Sequence, residues 1–242
     1  VGTVIGGDQA DAITLTAGTV GTVVAGGGAD TIIANGADVT TSIDAGAGND
    51  TVTWSAGTVA AIAMGDGSDT LTVTAVEYDG TQILDGGDDA SSADGMIDAL
   101  TLGGATVAAN GATVSNWEVL AFDDGATVTL TDIVTETVTA SCGGSTTLDG
   151  ASAANDVLGC ASDDTIVIDG DTVIANAIEG AGGDDTISVL GNASVATVNV
   201  AGDGSDASAL TDAGNTVLVN TTGTVGTVIG GDQADAITLT AG

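Results

Sequence analysis

Aspartates recur along this chain behind runs of glycine and other small residues. Asp11, Asp30, Asp50 and Asp69 are spaced by 19, 20 and 19 residues, and Asp164, Asp185 and Asp206 by 21 and 21. The stretch Ala45–Trp54, A-G-A-G-N-D-T-V-T-W, shows the unit: small residues lead to Asp50, and an alternation follows with Val52 and Trp54 on one face. Glycine lets such a run turn tightly with positive φ, where a Cβ would clash, and lets successive carbonyls point at one spot. Aspartate adds a short anionic oxygen. Calcium takes roughly six to eight hard oxygen ligands, and a stack of these turns can supply carbonyls and a carboxylate to an ion held between neighbours. Asp66, Asp98, Asp203 and Asp235 complete the candidate carboxylate set, with Gly26, Gly28, Gly46, Gly48, Gly65, Gly67, Gly202 and Gly204 shaping the turns.

These turns need strands to hold them. After the motif aspartates come alternating apolar residues: Ile13 and Leu15, Val52 and Trp54, Leu71 and Val73, Ile166 and Ile168, Ile187 and Val189; Leu100 and Leu102 do the same after Asp98. Period two predicts strands with one buried face. The intervening Thr14, Thr31, Thr51, Thr53, Thr70, Thr72, Thr101, Thr165 and Thr186 are expected to face outward, where β-branching suits a pleated surface. A second turn and a second short strand complete a coil of about 20 residues, as in Ala17–Ala25 and Ser55–Ala63. The expected fold is all-β, a parallel β-solenoid of the β-roll or β-helix kind, part of a tandem-repeat array.

The array is visible at the ends. Val1–Gly18, V-G-T-V-I-G-G-D-Q-A-D-A-I-T-L-T-A-G, returns unchanged as Val225–Gly242, an offset of 224 residues. The chain therefore divides into regular calcium-turn coils over 1–102, less regular coils without that turn over 103–157, regular coils again over 158–224, and the start of the next repeat over 225–242. Trp117 and Phe122 in the middle stretch read as core residues. Asp85–Asp98 reads as a calcium turn with an inserted loop, in which Asp85, Asp88, Asp89 and Asp94 form a further candidate cation cluster lacking the spacing and closing glutamate of an EF-hand loop. Cys142 and Cys160 are 18 residues apart, close to one coil, so equivalent positions would lie ~4.8 Å apart, within reach of a disulfide in an oxidising compartment. Two buried free thiols are the alternative.

Composition excludes several functions. There is no Lys, Arg, His or Pro among 242 residues, against 34 acids, of which only Glu77, Glu118, Glu136 and Glu179 are glutamate; the net charge is −34. Such a chain repels itself unless cations are bound or salt is high. It lacks the positive side chains that neutralise nucleic-acid phosphates or anionic lipid, and it contains no apolar run near ~18 residues. Lyase or epimerase chemistry on a β-helix typically uses Lys, Arg, His or Tyr, and only Tyr78 exists. With 43% apolar residues, the chain is nevertheless too hydrophobic for disorder.

Gly65–Val73, G-D-G-S-D-T-L-T-V, with Gly46–Trp54 and Gly182–Val189, resembles the glycine- and aspartate-rich nonapeptides of the repeats-in-toxin family and of related bacterial surface-layer proteins and giant adhesins. The resemblance covers 1–102 and 159–242. It implies calcium-driven folding outside a bacterial cell, with Asp11, Asp30, Asp50, Asp69, Asp164, Asp185 and Asp206 as ligands. The chain departs from the family in having one calcium turn per coil of about 20 residues where the usual roll has two per ~18, and again at Gln9 and Cys160–Ser162. One ion row along one edge is the expectation. Ice-binding adhesin segments are similar in coil length, but their outward Thr and Asn are replaced here by Asp8 and Ala10, Gly27 and Ala29, Ala47 and Asn49, and Asp66 and Ser68. The expected function is structural, not enzymatic: an extracellular or cell-surface fibre or adhesin-stalk repeat whose partner is itself, with calcium as cofactor. The alternative is a surface-layer or polysaccharide-binding module.

Overall fold

The computed structural model describes residues 1–74, 77–87, 90–200, 214–230 and 234–240. They are all-β: parallel strands stacked as a β-solenoid, about 20 residues from coil to coil. The one helical turn among the described residues is a 3-10 turn at Ser92–Asp94. The chain forms two compact units, Val1–Ala121 and Phe122–Gly242.

The first unit contains β1 (Thr3–Gly7), β2 (Ala12–Leu15), β3 (Thr19–Gly27), β4 (Thr31–Asn35), β5 (Asp38–Ala47), β6 (Thr51–Ala56), β7 (Ala61–Asp66), β8 (Thr70–Val73), β9 (Ile83–Asp85), β10 (Ala99–Leu102), β11 (Thr106–Asn110), β12 (Val114–Ser115) and most of β13 (Val119–Phe122). Strands β1, β3, β5, β7, β9 and β12 follow one another in one sheet, and β2, β4, β6, β8, β10 and β13 in a second. From β1 to β8 each coil contributes one strand to each sheet and a glycine turn joins them; β12 and β13 are joined by Asn116–Glu118 without a glycine, and β11 belongs to neither of these two sheets.

Parallel pairing in register puts each inward side chain on its counterpart one coil away. Ile32, Val52, Leu71 and Leu100 form one such column, and Val23, Ile43, Ile62, Leu84 and Val114 another. All of them are buried. Where Trp54 enters, its neighbours in register are Ala34 and Val73, so a large ring is accommodated between small side chains. Its indole N–H donates to the Gly57 carbonyl at 2.7 Å, which satisfies the polar atom that burial would otherwise strand. Trp117 does the same toward Leu84 O at 3.1 Å.

The second unit contains β14 (Thr127–Thr131), β15 (Thr137–Thr139), β16 (Ser145–Asp149), β17 (Ala153–Leu158), β18 (Thr165–Ile168), β19 (Val173–Glu179), β20 (Thr186–Gly191), β21 (Ser194–Asn199), β22 (Thr216–Thr221), β23 (Val225–Ile229) and β24 (Ala236–Leu239). Here β14, β16, β18, β20, β22 and β24 run in sequence in one sheet and β15, β17, β19, β21 and β23 in another. Leu130, Leu148, Ile168, Val189 and Val219 stack as a core column. The threonines expected to face outward do so: none of Thr14, Thr31, Thr51, Thr53, Thr70, Thr72, Thr101, Thr165 or Thr186 is buried.

The turn glycines set how closely coils approach. Gly46 has φ of +109°, and a Cβ there would collide with the Gly26 carbonyl; Gly65 stands in the same relation to Gly46, and Gly87 to Gly65. Both the dihedral and the space therefore require glycine. Gly46→Ala is expected to lower stability by at least about 1–3 kcal/mol from backbone strain alone, read as a shifted thermal or denaturant midpoint, whereas Gly18→Ala, where nothing lies within 4 Å, carries only the strain of its φ of +83°.

Candidate functional site

The periodic aspartates stand at the corner where the glycine turn passes into the next strand. Each is the residue, or nearly the residue, before a strand, and its side chain points inward. In the first unit they form a ladder. Asp11 N–H donates to Asp30 Oδ1, Asp30 N–H to Asp50 Oδ1 and Asp50 N–H to Asp69 Oδ1, each at 2.7 Å. Asp69 N–H continues to Asp98 Oδ1 at 2.8 Å, and Asp98 N–H to Glu118 Oε2 at 2.5 Å. The loop inserted before Asp98 thus leaves the ladder in step, because the corner needs an acceptor at that height whatever the length of chain between.

The second unit repeats the device. Gly143 N–H donates to Asp164 Oδ1 at 2.8 Å, Asp164 N–H to Asp185 Oδ1 at 3.0 Å, Asp185 N–H to Asn215 Oδ1 at 2.8 Å and Asn215 N–H to Asp235 Oδ1 at 3.0 Å. The rung after Asp185 is Asn215; Asp203, Asp206, Gly202 and Gly204 lie outside the described residues, as do Asp88 and Asp89. Cys142 and Cys160 are joined by a disulfide, with Cα atoms 5.6 Å apart, and Cys160 N–H donates to Asp164 Oδ2 at 2.7 Å. Nearby corners use buried serine: Ala126 N–H donates to Ser141 Oγ at 2.7 Å and Ile133 N–H to Ser152 Oγ at 3.1 Å.

Glu118 and Asn215 were missed by the motif reading, which looked for glycine before aspartate. The signal they do carry is position. Glu118 lies 20 residues after Asp98 and directly before the alternation of Val119–Phe122; Asn215 lies 20 residues before Asp235 and directly before β22. Asp66 falls elsewhere, exposed at the end of β7. Asp85 and Asp94 do not converge: Asp85 Oδ1 accepts from Asn116 Nδ2 at 2.8 Å, while Asp94 Oδ1 accepts from Met96 N–H at 2.9 Å within its own turn. Gly26, Gly28, Gly46, Gly48, Gly65 and Gly67 all have positive φ and line two columns beside the ladder.

Asp30 and Asp50 are each 2% exposed, and the Oδ2 atom of each is buried with no hydrogen-bond partner. Burial holds the Asp50 carboxyl above the ordinary range, against the lowering from the Asp30 N–H, and the neighbouring Asp30 charge raises it further. Asp164 is raised mainly by burial, which outweighs the N–H bonds from Cys160 and Gly143; the charges of Asp163 and Asp124 add to the rise. Asp30 and Asp50 thus offer hard, anionic Oδ2 atoms without a hydrogen-bond partner, whereas Asp164 Oδ2 accepts from the Cys160 N–H. Among the described residues no three Asp, Glu, His or Cys side chains converge on one point. A cation here would draw on one or two carboxylates and otherwise on turn carbonyls, a donor set that suits calcium and not zinc.

Comparison of the chain with protein-family models, curated proteins and solved structures gave no match.

Two outcomes are expected in chelator. Asp50→Ala, which deprives the Asp30 N–H of its acceptor, should cost about 1–3 kcal/mol, whereas Asp50→Asn should be no less stable than the parent, since the amide keeps the acceptor and drops the charge; chemical denaturation of both decides this. Raised carboxyl pKa values mean that the folded chain holds protons more tightly than the unfolded one. That stability is complete below the ordinary carboxylate range and is lost as pH rises through the raised values of Asp50 and Asp164. The melting temperature without divalent cations should therefore fall from about pH 4 to pH 7, where Asp in the unfolded chain is ionised; a rise would contradict the burial described here.

Proposed function

We propose that the chain is a repeat of an extracellular, calcium-stabilised structural fibre or adhesin stalk. The β-solenoid fold is consistent with a rod-like repeat protein, since each coil contacts only its neighbours and strands meet solvent edge-on only where the stack stops. The observation that carries the calcium reading is the carboxylate ladder. Buried acids stand coil upon coil in a protein with no Lys, Arg or His to balance them. Calcium bound at these corners supplies positive charge and hard coordination to Asp30, Asp50 and their counterparts. The chain's residues do the rest: glycine turns bring backbone carbonyls close, the Oδ1 atoms hold the corner in register, and the buried Oδ2 atoms of Asp30 and Asp50 would be the carboxylate donors.

Ions bound by the folded stack and not by the unfolded chain add their binding free energy to folding. A structural role also fits the side chains present. The two tryptophans, which an exposed sugar-stacking platform would use, are both buried, and Tyr78 packs edge-on against Trp54 with ring centres 6.4 Å apart. The tryptophans thus give no support to the surface-layer or polysaccharide-binding alternative.

Far-ultraviolet circular dichroism and electron microscopy on one sample, through chelation and stepwise calcium return, test the proposal. The expected result is loss of β signal and of rods, both restored by calcium and not by sodium chloride of matched ionic strength. Rods unchanged in excess chelator would mean that stacking, the Cys142–Cys160 bond and the hydrogen-bond ladders suffice.

A further inference from the structure

The disulfide of the second unit closes a corner that the chain builds asymmetrically. β15 ends at Thr139, whose partner in register is Leu158 at the end of β17. Cys142 lies three residues past Thr139 and Cys160 two past Leu158, and the additional residue, Ser141, turns inward. Its Oγ accepts from the Ala126 N–H at 2.7 Å and donates to the Asp123 carbonyl at 2.7 Å, while its N–H donates to Thr146 Oγ1 at 3.0 Å. With Ser141 committed to the core, Cys142 stands half-buried at the surface beside Gly143, which is exposed and carries no side chain. Neighbouring coils hold the backbone of both cysteines: Gly125 N–H donates to Cys142 O at 2.7 Å, and Gly182 N–H to Cys160 O at 2.9 Å.

The two sulfurs differ in their surroundings. Ser162 N–H donates to Cys160 Sγ at 3.3 Å, and Asp164 Oδ1 lies 3.8 Å from the same sulfur. Cys142 Sγ has no such donor among the described residues. In thiol–disulfide exchange a thiolate attacks one sulfur and the other leaves with the electron pair, so the sulfur whose negative charge is better met is the one that leaves. A backbone N–H aimed at Cys160 Sγ meets that charge. Once protonated, Cys160 has an acceptor ready in Asp164 Oδ1. The corner also has a second tie: Asp164 accepts from Gly143 N–H on Oδ1 and from Cys160 N–H on Oδ2, so the two cysteine turns stay joined when the S–S bond opens.

We propose that Cys142–Cys160 is a thiol–disulfide exchange site that takes a small external thiol onto Cys142. The thiol gives its proton to water, and the thiolate forms a bond to Cys142 Sγ. The Cys142–Cys160 bond breaks, and its electron pair stays on Cys160, which takes a proton from water. Thiol plus disulfide thus becomes mixed disulfide plus Cys160 thiol, with no other reactant. The favoured thiol is a cationic one. Cys142 belongs to the earlier coil, and the approach that displaces Cys160 comes from the side of the Asp123–Gly125 corner, where Asp123 and Asp124 are exposed. With no Lys, Arg or His to offset them, these acids repel an anionic thiol and attract a cationic one. The site is independent of calcium and of the fibre reading.

The test uses the full-length chain at one fixed calcium concentration, with circular dichroism following the fold. Cysteamine is added, the freed thiol is trapped with iodoacetamide at short times, and cleavage at acidic residues followed by mass spectrometry locates each group. Cysteamine on Cys142 with the trap on Cys160 should exceed the reverse by at least about tenfold, the order that a hydrogen bond to an ionised group supports, with the β signal retained. Cysteamine attacks as a net-neutral zwitterion and mercaptoethanesulfonate as a dianion. Each thiol's rate on the folded chain, divided by its rate on the urea-unfolded chain, should therefore favour cysteamine several-fold in low salt. Asp124→Asn, or added sodium chloride, should narrow that ratio. The small thiol on Cys160, equal labelling of both sulfurs, a disulfide inert until the chain unfolds, loss of β signal on exchange, or a ratio indifferent to charge overturns the proposal. Since calcium is constant throughout, each of these failures leaves the chelation result standing.

Discussion

A backbone N–H of one coil donated to a side-chain oxygen of the next is the contact on which the corners of both units depend. Where the chain leaves its glycine turn and enters a strand, that N–H points along the stack, and a buried donor left unmade costs about 1–3 kcal/mol. Asp30, Asp50 and Asp69 each answer the N–H of the coil before them. An acceptor placed there in one coil therefore requires one in the next. Parallel in-register stacking turns a local hydrogen bond into a column, just as it turns Ile32, Val52 and Leu71 into a column of core.

The column explains both the composition and its cost. The hydrogen bond needs an acceptor, not a charge: Asn215 holds the place between Asp185 and Asp235, and Ser141 and Ser152 serve other corners. Aspartate at most rungs therefore brings negative charge beyond what the bond requires, at neighbouring heights ~4.8 Å apart and away from water. Burial and the neighbouring charge raise Asp50 for that reason. A protein with no positive side chain has two ways to relieve such a column, protons or bound cations. Choosing charged aspartate over asparagine is what ties the fold to its ionic surroundings.

Glycine and disulfide act on the same spacing by different means. Gly26, Gly46, Gly65 and Gly87 let one turn settle directly on another, with no side chain to hold them apart. In the second unit Cys142 and Cys160 join chain positions one coil apart beside Asp164, where the glycine turn is interrupted by Cys160–Ser162. The result is a surface of outward threonines over a narrow core, in which Trp54 stands in register between Ala34 and Val73.

The sequence by itself determined whatever repeats. The coil length, the parallel strands, the inward apolar and outward threonine faces and the glycine turns all follow from period two nested within about 20 residues, since a side chain's face is set by its place in the pleat. Asp11, Asp30, Asp50, Asp69, Asp164 and Asp185 could be placed at one kind of corner by spacing alone. Only the tertiary structure decided what those carboxylates do first. The direction of an N–H across to the next coil is not written in the motif, so the ladder itself, with Glu118 and Asn215 as rungs, appears only once coils are stacked. The same holds for Asp66, which shares the motif but faces solvent, and for Asp85, which pairs with Asn116. Local pattern fixes which face a residue takes, while partners contributed by another coil depend on stacking height, which inserted loops such as 85–98 leave unchanged however much they disturb the count.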